Sequence, residues 1–380
     1  MNGGRAGLLG PDETLARRRP GLLARAHLDL PLLAGLTAVA GLGLVVLYSA
    51  AGERMEVVAR QLVRLGIGFG VMVAAAQVPP AALRRWAPWL YGLGVVLLAA
   101  VMTVGETGKG AQRWLDLGLV RFQPSELMKL ALPLVVAWHL ADAHLPPDAR
   151  RVLAAAAAIA VPVTLIALQP DLGTALVVGA AGFFALFLAG LRWRWLAGLG
   201  LAAAAGAPAL WHFMHDYQRA RVLTFLDPER DPLGAGYHII QSKIAIGSGG
   251  LFGKGWLHGT QAHLEFLPER ATDFIFAVLG EEFGLTGTVT LLALYLFLVL
   301  RGLHIAARAQ DTFARLTAGA VSLTFLVYAF VNTGMVTGLL PVVGLPLPLV
   351  SYGGTSLVTM MAGFGILMSV HTHRKLLSPS

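Results

Sequence analysis

Long apolar segments recur along the whole chain, and they restrict the fold more than any other feature of the sequence. Ten segments approach the length of about 20 apolar residues with which an α-helix crosses a bilayer. None of them alternates polar and apolar residues as the strands of a β-barrel do. The sequence therefore predicts an all-α, polytopic membrane protein with ten transmembrane helices. The ten segments are Leu30–Ala50, Leu62–Val78, Trp86–Val104, Ser125–Ala141, Leu153–Leu168, Leu172–Leu191, Trp195–Phe213, Phe274–Leu300, Leu316–Val336 and Leu349–Val370.

Composition separates this chain from the soluble classes of protein. Of its 380 residues, 56% are hydrophobic and 13% are charged, and soluble domains carry about twice that share of charge. A soluble domain would expose too much apolar surface, and a disordered chain needs more charge. The sequence has no cysteine, which excludes a disulfide framework. A net charge of +8 fits loops that touch anionic membrane lipid, so we expect membrane lipid and no nucleic acid as a partner.

Lys and Arg residues in the short loops predict which helix ends face the cytoplasm. Each loop assigned to the inside between two spans carries at least two arginines, such as Arg84 and Arg85. An even number of spans then makes both termini cytoplasmic. Residues 1–29 form an N-terminal tail and not a signal peptide, because the following apolar stretch is too long for one. Residues 30–370 form the membrane domain, with a large extracytoplasmic loop at 212–271 between helices seven and eight, and residues 371–380 form a C-terminal tail.

Ionisable side chains inside a membrane are costly, so those near span ends are candidates for function. Glu126 and Lys129 stand three residues apart at the start of the fourth span and share one helix face. They are interpreted either as a structural ion pair that tethers two helices or as a site where Lys129 holds an anionic lipid headgroup.

Asp273 precedes the eighth span, where Thr272 is a plausible N-cap that would place Asp273 in the first helical turn. An acidic residue there complements the helix dipole, and an ionised carboxylate at the extracytoplasmic end of a span can also act as a general base. Glu281 and Glu282, two turns deeper, are expected to be paired or protonated.

A glycine-rich stretch, Gln241–Gly255, lies in the long loop and contains Lys243 and Lys254. Such a backbone can approach a phosphate closely while lysine supplies charge, but a flexible loop on the headgroup layer explains it equally well. Asp171, in a short turn, is expected to cap the next helix. No HExxH metal motif and no GxSxG elbow is present. From these residues alone, the handling of an anionic lipid headgroup and transport remain equally open.

Four blocks of residues, taken together and in this order, resemble the SEDS (shape, elongation, division and sporulation) family of bacterial peptidoglycan glycosyltransferases. Within the family, Arg270 and the run Val342-Val343-Gly344 resemble the elongation type more than the division type. The blocks are Lys109–Leu115 with Phe122–Glu126, Gln169–Thr174, Gly236–Phe276, and Asn332–Ser356.

This resemblance implies a multi-pass protein of the bacterial cytoplasmic membrane that polymerises lipid II at the extracytoplasmic face during cell elongation. It implies that Asp273 is the essential residue and that the Glu126–Lys129 pair serves helix packing in a central cavity. The donor would be a glycan on undecaprenyl pyrophosphate, and a class B penicillin-binding protein would be the partner that crosslinks the product.

We assign Asp273 as the general base. No cofactor is evident and no metal site is assigned, although a divalent cation stays possible. The competing hypotheses are a lipid II flippase and a scaffold that recruits the synthase. The residues assigned to substrate binding, mainly to stabilise the pyrophosphate, are Lys129, Lys243, Arg121, Arg270 and Trp114.

Overall fold

The computed structural model describes residues 27–108, 111–116, 121–214, 216–228, 235–263 and 269–373. The predicted N-terminal tail up to residue 26 and the C-terminal residues 374–380 lie outside this part of the chain, as do several stretches of the long loop. The predicted boundaries of the tails and of the membrane domain therefore stay predictions.

The described residues form α-helices and three short strands, joined by turns and irregular segments of different lengths. The helices are α1 (Leu30–Ala50), α2 (Met55–Ala76), α3 (Pro80–Val104), α4 (Pro124–Leu140), α5 (Ala149–Leu168), α6 (Leu172–Leu188), α7 (Trp193–Phe213), α8 (Asp216–Leu226), α9 (Ala235–Ser248), α10 (Thr260–His263), α11 (Ile275–Ala307), α12 (Thr312–Val336) and α13 (Thr355–Thr372). The strands β1 (Glu106–Gly108), β2 (Ala111–Asp116) and β3 (Arg121–Phe122) form an antiparallel ribbon between α3 and α4.

The prediction of a helical, polytopic membrane protein is confirmed. Within the described ranges, seven helices are long and apolar enough to span a bilayer, and α6 is a shorter apolar helix. A helix also occupies each of the other predicted spans, but the count of ten transmembrane helices stays a prediction. The seven are α1, α2, α3, α5, α11, α12 and α13.

The long loop and the segment before α4 have more structure than the sequence analysis gave them. Helices α8, α9 and α10 lie in the loop between α7 and α11, and the three strands lie between α3 and α4. Hydropathy does not predict these elements, because it identifies only apolar segments of membrane-crossing length. The last predicted span begins at Leu349, but its helix, α13, begins only at Thr355.

Helix α12 lies between two hydrophobic cores and contributes to both. One core contains residues of α1, α2, α11 and α13 together with Ala318 and Phe325 of α12. The other contains residues of α3, α4, α5 and α6 together with Leu316 and Ala320 of α12. A side chain on α12 is therefore held by packing on both sides, which makes this helix a rigid support for polar residues near its end.

The described residues between an odd-numbered span and the next even-numbered span share one end of the bundle, which we call the loop face. These residues are 51–54, 105–108, 111–116, 121–123, 169–171, 214, 216–228, 235–263, 269–274 and 337–354. The opposite end, the tail face, carries the first and last described residues. There Asp29 caps α1, accepting from the Leu32 amide at 2.9 Å. Its carboxylate pairs with Arg301 of α11 and lies 3.3 Å from His371 of α13. The ring of His27 stacks on that of His373 at 4.1 Å.

Helix α11 is kinked where Gly284 has φ 63° and ψ −155°. The glycine-rich loop fits into this kink, and its residues donate backbone hydrogen bonds to Glu281 and Glu282 from Lys254 and Gly255, both at 3.0 Å. The interpretation of this stretch as a flexible loop on the headgroup layer is therefore wrong, because main-chain hydrogen bonds fix it to a membrane helix.

Candidate functional site

Asp273 lies in a turn of residues 269–274 on the loop face, and this turn ends before α11 begins. The N-cap of α11 is Phe274, and the Thr272 hydroxyl donates to the backbone carbonyl of Glu269 at 3.1 Å and to its carboxylate at 2.8 Å. The expectation that Thr272 caps the helix and puts Asp273 in its first turn is therefore wrong. The Asp273 side chain is half-buried.

Three consecutive carbonyl groups of this turn accept hydrogen bonds from α12 and the segment after it. The Ala271 carbonyl accepts from the Tyr352 amide at 2.8 Å, the Thr272 carbonyl accepts from the Ser351 hydroxyl, and the Asp273 carbonyl accepts from Asn332 Nδ2 at 3.0 Å. Every peptide carbonyl from residue 271 to residue 273 is thus held by the fourth sequence block.

The side chain of Asp273 lies beside the turn between α12 and α13. A Cβ atom placed on Gly344 would be 3.6 Å from Asp273 Oδ2, and one placed on Gly173 would be 2.8 Å from the Val343 carbonyl oxygen. The turn 341–346 is therefore the common neighbour of Asp273 and of the second sequence block. The second, third and fourth blocks, which are far apart in the chain, therefore meet at one place on the loop face.

Asp171 caps α6 as predicted, accepting from the Thr174 amide at 3.1 Å and from the Thr174 hydroxyl at 2.9 Å. It also forms an ion pair with Arg113 Nε at 3.5 Å, and Arg113 reaches the Pro170 carbonyl at 3.4 Å. Sequence reasoning missed Arg113 and chose its neighbour Trp114 instead. The available signal was that both Arg113 and Asp171 belong to blocks of the family pattern.

The remaining residues assigned to substrate binding are spread around this region. Lys243 is exposed on α9 and lies against Gly338, where an added Cβ would be 2.2 Å from its Cε atom. Arg270 precedes Asp273 by three residues and reaches toward Gly52 in the turn between α1 and α2. Trp114 is half-buried on β2, opposite Glu106. Arg121 is on β3, and its side chain lies outside the described part of the structure.

Glu126 and Lys129 form a buried ion pair deeper in the bundle. Lys129 Nζ lies 2.6 Å from Glu126 Oε1, both side chains are 6% exposed, and Nζ is 5.1 Å from the centre of the Tyr328 ring. The pair lines a cavity between α4, α12 and α13 together with Tyr328, Phe325 and Phe364. A buried pair that faces an aromatic ring and a cavity fits both interpretations made from the sequence.

Helix α12 relates this cavity to the Asp273 turn. Tyr328 contacts Lys129, and Asn332, four residues later, contacts Asp273. Residues at this spacing share a helix face and are separated by about 6 Å along the axis. Lys129 and Asp273 therefore lie near one face of α12, about one helical turn apart.

Lys254, the second lysine of the glycine-rich stretch, is paired with a buried carboxylate. Its Nζ atom lies 2.7 Å from Glu281 Oε1, which also accepts from the Thr260 hydroxyl at 3.1 Å and the Gln261 amide at 3.0 Å. Glu282 accepts from the Ser49 hydroxyl. The expected pairing is confirmed for Glu281, whose cation is Lys254, whereas the contact shown for Glu282 is the hydrogen bond from Ser49.

His238 of α9 packs on the residue that follows Asp273. Its ring stacks on Phe274 with 5.7 Å between ring centres. Burial lowers the pKa of His238, and the nearby Glu269 carboxylate opposes this only in part. The imidazole is therefore mainly uncharged at neutral pH. Among the residues that the structure describes, no group of three or more His, Asp or Glu side chains is placed to bind a metal ion.

Comparisons with known proteins agree with these observations. A family model described as a cell cycle protein, covering FtsW, RodA and SpoVE, matches residues 25–376. The chain is 57% identical over 357 residues to the peptidoglycan glycosyltransferase MrdB of Escherichia coli K12, covering 94% of this chain and 96% of MrdB. It is 37% identical to a probable peptidoglycan glycosyltransferase FtsW of Geobacter sulfurreducens strain DL-1 / KN400, covering 91% of this chain and 96% of FtsW.

Solved structures show the same fold. The rod shape determining protein RodA of Thermus thermophilus superimposes with a TM-score of 0.69 at 33% identity, covering 91% of this chain and 98% of RodA. A chain from the structure described as "Structural coordination of polymerization and crosslinking by a peptidoglycan synthase complex" gives a TM-score of 0.80 at 38% identity. That match covers 92% of this chain and 98% of the other.

Proposed function

Because the chain belongs to the FtsW, RodA and SpoVE family, which is the SEDS family of the sequence analysis, we infer that it is a peptidoglycan glycosyltransferase. It is a multi-pass membrane protein of the elongation type, similar to MrdB and RodA. We further propose that its substrates are lipid II and a glycan on undecaprenyl pyrophosphate, and that Asp273 is the general base.

The observation that carries the role of Asp273 is its position. Its carboxylate belongs to a turn on the loop face where the second, third and fourth sequence blocks meet, and hydrogen bonds to three successive carbonyls hold that turn. A general base needs a fixed position within hydrogen-bond reach of the proton that it removes. The turn supplies this fixed position.

In the proposed reaction, Asp273 takes the proton from the 4-hydroxyl of the acceptor GlcNAc. The acceptor oxygen forms a bond to the anomeric carbon of the donor MurNAc while the bond from that carbon to the pyrophosphate oxygen breaks. The lipid pyrophosphate leaves with the electron pair, and the configuration inverts from α to β. The negative charge of the leaving group needs cations. Lys243 and Arg270 on the loop face and Lys129 in the cavity are the proposed ones.

The proposed site lies at the extracytoplasmic face of the bacterial cytoplasmic membrane, with both termini in the cytoplasm. This orientation can be tested because the chain has no cysteine, so that a single introduced cysteine is unique. In right-side-out vesicles, an impermeant maleimide should label Asp227→Cys on the loop face and spare His144→Cys, which is exposed in the turn between α4 and α5. The reverse labelling pattern would place the site in the cytoplasm.

The decisive experiment is polymerisation of lipid II by purified protein in liposomes. Since a general base contributes about 10²–10⁴-fold, Asp273→Asn should insert normally but polymerise at least 100-fold more slowly. Asp227→Asn, an exposed carboxylate of the same long loop, is the matched control and should keep the wild-type rate. A near wild-type rate for Asp273→Asn would disprove the assignment. Translocation of lipid II by the wild type without polymer would instead indicate a flippase.

We also propose that a class B penicillin-binding protein is the partner, which fits the similarity to a chain of a peptidoglycan synthase complex. Such a transpeptidase would crosslink the glycan strands that this protein makes. Co-purification of the two proteins from a membrane extract, compared with an unrelated polytopic protein as bait, would test this partnership.

A further inference from the structure

Asn332 holds the residue proposed as the general base through the backbone of that residue. Its side chain is fully buried, with no exposed surface, and Nδ2 donates to the Asp273 carbonyl at 3.0 Å and to the Leu345 carbonyl at 2.7 Å. Because both partners are carbonyl acceptors, the orientation of the amide is fixed. One side chain thus joins the Asp273 turn to the segment that lies beside its carboxylate.

Ser351 makes a second connection of the same kind. Its hydroxyl donates to the Thr272 carbonyl and accepts from the Leu347 amide at 2.7 Å. The Ser351 carbonyl in turn accepts from Gln61 Nε2 at 3.2 Å, and Gln61 is a buried residue of α2. The Asp273 turn is therefore connected to α12 through Asn332 and to α2 through Ser351 and Gln61.

We propose that Asn332 and Ser351 are positioning residues for the glycosyl transfer. They hold the Thr272 and Asp273 carbonyls so that the Asp273 carboxylate stays beside Gly344 and within reach of the acceptor hydroxyl. This inference rests on the proposed role of Asp273 as the base. Neither side chain is proposed to contact substrate, so both act only through the position of Asp273.

The position of the Asp273 carboxylate depends on how firmly the backbone of its turn is held. Thr272 and Asp273 precede Phe274, the N-cap of α11, so the regular hydrogen bonds of that helix do not fix their carbonyl groups. A displacement of about 1 Å of a reacting group can lower a rate about 100-fold. Removal of either donor breaks the hydrogen bond that holds one carbonyl of the turn, which favours movement of the turn.

The test uses paired substitutions in the full-length protein, with lipid II polymerisation in liposomes as the assay. Asn332→Leu has a similar size and no donor, and Ser351→Ala is compared with Ser351→Thr, which keeps the hydroxyl. We expect Asn332→Leu and Ser351→Ala to lower kcat about 10- to 100-fold with little change in KM, and Ser351→Thr to restore most of the rate. Thr333→Val, next to Asn332, is the control, because the Thr333 hydroxyl bonds to the Ala329 carbonyl of its own helix at 2.8 Å.

A double variant separates positioning from a merely structural role. If Asn332 acts through Asp273, then Asn332→Leu should not slow the residual reaction of Asp273→Asn any further, because residues that act as a unit are not additive. Losses that multiply would overturn the proposal, as would wild-type kcat values for Asn332→Leu and Ser351→Ala. If Asn332→Leu does not fold, the comparison of kcat between Ser351→Ala and Ser351→Thr tests the proposal.

The activities of the Asp273, Asn332 and Ser351 variants distinguish a failure of the positioning role from a failure of the general base. An inactive Asp273→Asn together with fully active Asn332→Leu and Ser351→Ala would remove only the positioning role. An active Asp273→Asn would instead disprove the role of Asp273 as general base, and the proposed positioning role of Asn332 and Ser351 would fail with it.

Discussion

The burial of the Glu126–Lys129 ion pair allows a quantitative prediction of how its loss changes the free energy of unfolding. Both side chains are 6% exposed and their charged atoms are 2.6 Å apart. Removing one partner of such a pair costs about 3–5 kcal/mol, because the other charge stays buried without compensation. We therefore expect Lys129→Met to lower the free energy of unfolding by about that amount.

The two single substitutions should differ. Lys129→Met removes the donor to Glu126 Oε1, and Glu126 Oε2 has no hydrogen-bond partner among the described residues. Glu126→Leu leaves the Lys129 ammonium beside the Tyr328 ring, 5.1 Å from its centre, and a desolvated cation–π contact contributes about 0.5–2 kcal/mol. Glu126→Leu should therefore cost less than Lys129→Met.

The double variant Glu126→Leu with Lys129→Met provides the critical measurement. Replacing a buried ion pair by apolar residues is often neutral or stabilising by about 1–4 kcal/mol, so the double variant should recover the stability that each single variant loses. The assay is equilibrium unfolding of the detergent-solubilised protein by added SDS, followed by circular dichroism. The exposed pair Glu56–Arg60, at 3.5 Å on α2, is the control, and its removal should change the unfolding midpoint little.

Additive losses would refute this reasoning. If the interaction free energy from the double-mutant cycle is below about 0.5 kcal/mol, the two charged side chains contribute to stability independently of each other. Polymerisation by the stable double variant then separates the two interpretations of the pair. Full activity would indicate a packing role alone, and lost activity would indicate that Lys129 also contacts the anionic substrate.

Three further predictions concern the loop face and the tail face. Lys254→Met should leave the buried Glu281 carboxylate without its cation and lower the melting temperature, with faster proteolysis at residues 249–259; equal cleavage of wild type and variant would contradict this. Burial raises the pKa of Asp29, but hydrogen bonds from its partners outweigh burial and the net pKa lies below its usual range. The carboxylate thus stabilises the fold above about pH 4 and loses this effect at lower pH, so the difference in melting temperature between wild type and Asp29→Asn should shrink from pH 6 to pH 3. Gly253→Ala should be strongly destabilising, because φ is 81° and its Cβ would lie 2.0 Å from a carbonyl oxygen, whereas Gly41→Ala in an open helical position should be neutral or slightly stabilising by thermal unfolding.

Helix bounds are predicted best where an apolar segment begins with an N-cap residue and a proline in the first turn. Asp29 caps α1 and a proline follows in the first turn, so the predicted bounds Leu30–Ala50 match the structure. The second span was predicted to begin at Leu62, but α2 begins at Met55. Its first two turns carry Arg60 and Gln61, and a hydropathy criterion rejects charged and polar residues even where they continue a helix.

The contacts within the candidate site are predicted much less well from the sequence than the helices are. The blocks that meet around Asp273 could be named from the sequence, but not their hydrogen bonds. The Asn332–Asp273 contact joins residues 59 positions apart, and the Ser351–Thr272 contact joins residues 79 positions apart. Such contacts follow from the packing of α12 between two cores, which hydrophobic periodicity does not encode. The same holds for Lys254, whose partner Glu281 is 27 residues away.

The ion pair at the tail face has a consequence for the order of biosynthesis. Asp29 begins the first helix of the membrane domain, yet its partner Arg301 is 272 residues further along, and His27 bonds to Thr372 after 345 residues. Helix α1 is therefore synthesised long before Arg301, the partner of the buried Asp29 carboxylate that caps it. Its final docking waits for the synthesis of α11, and the stacking of His27 on His373 waits for the last helix. A chain that ends before residue 301 therefore lacks the arginine that pairs with Asp29 in the folded protein.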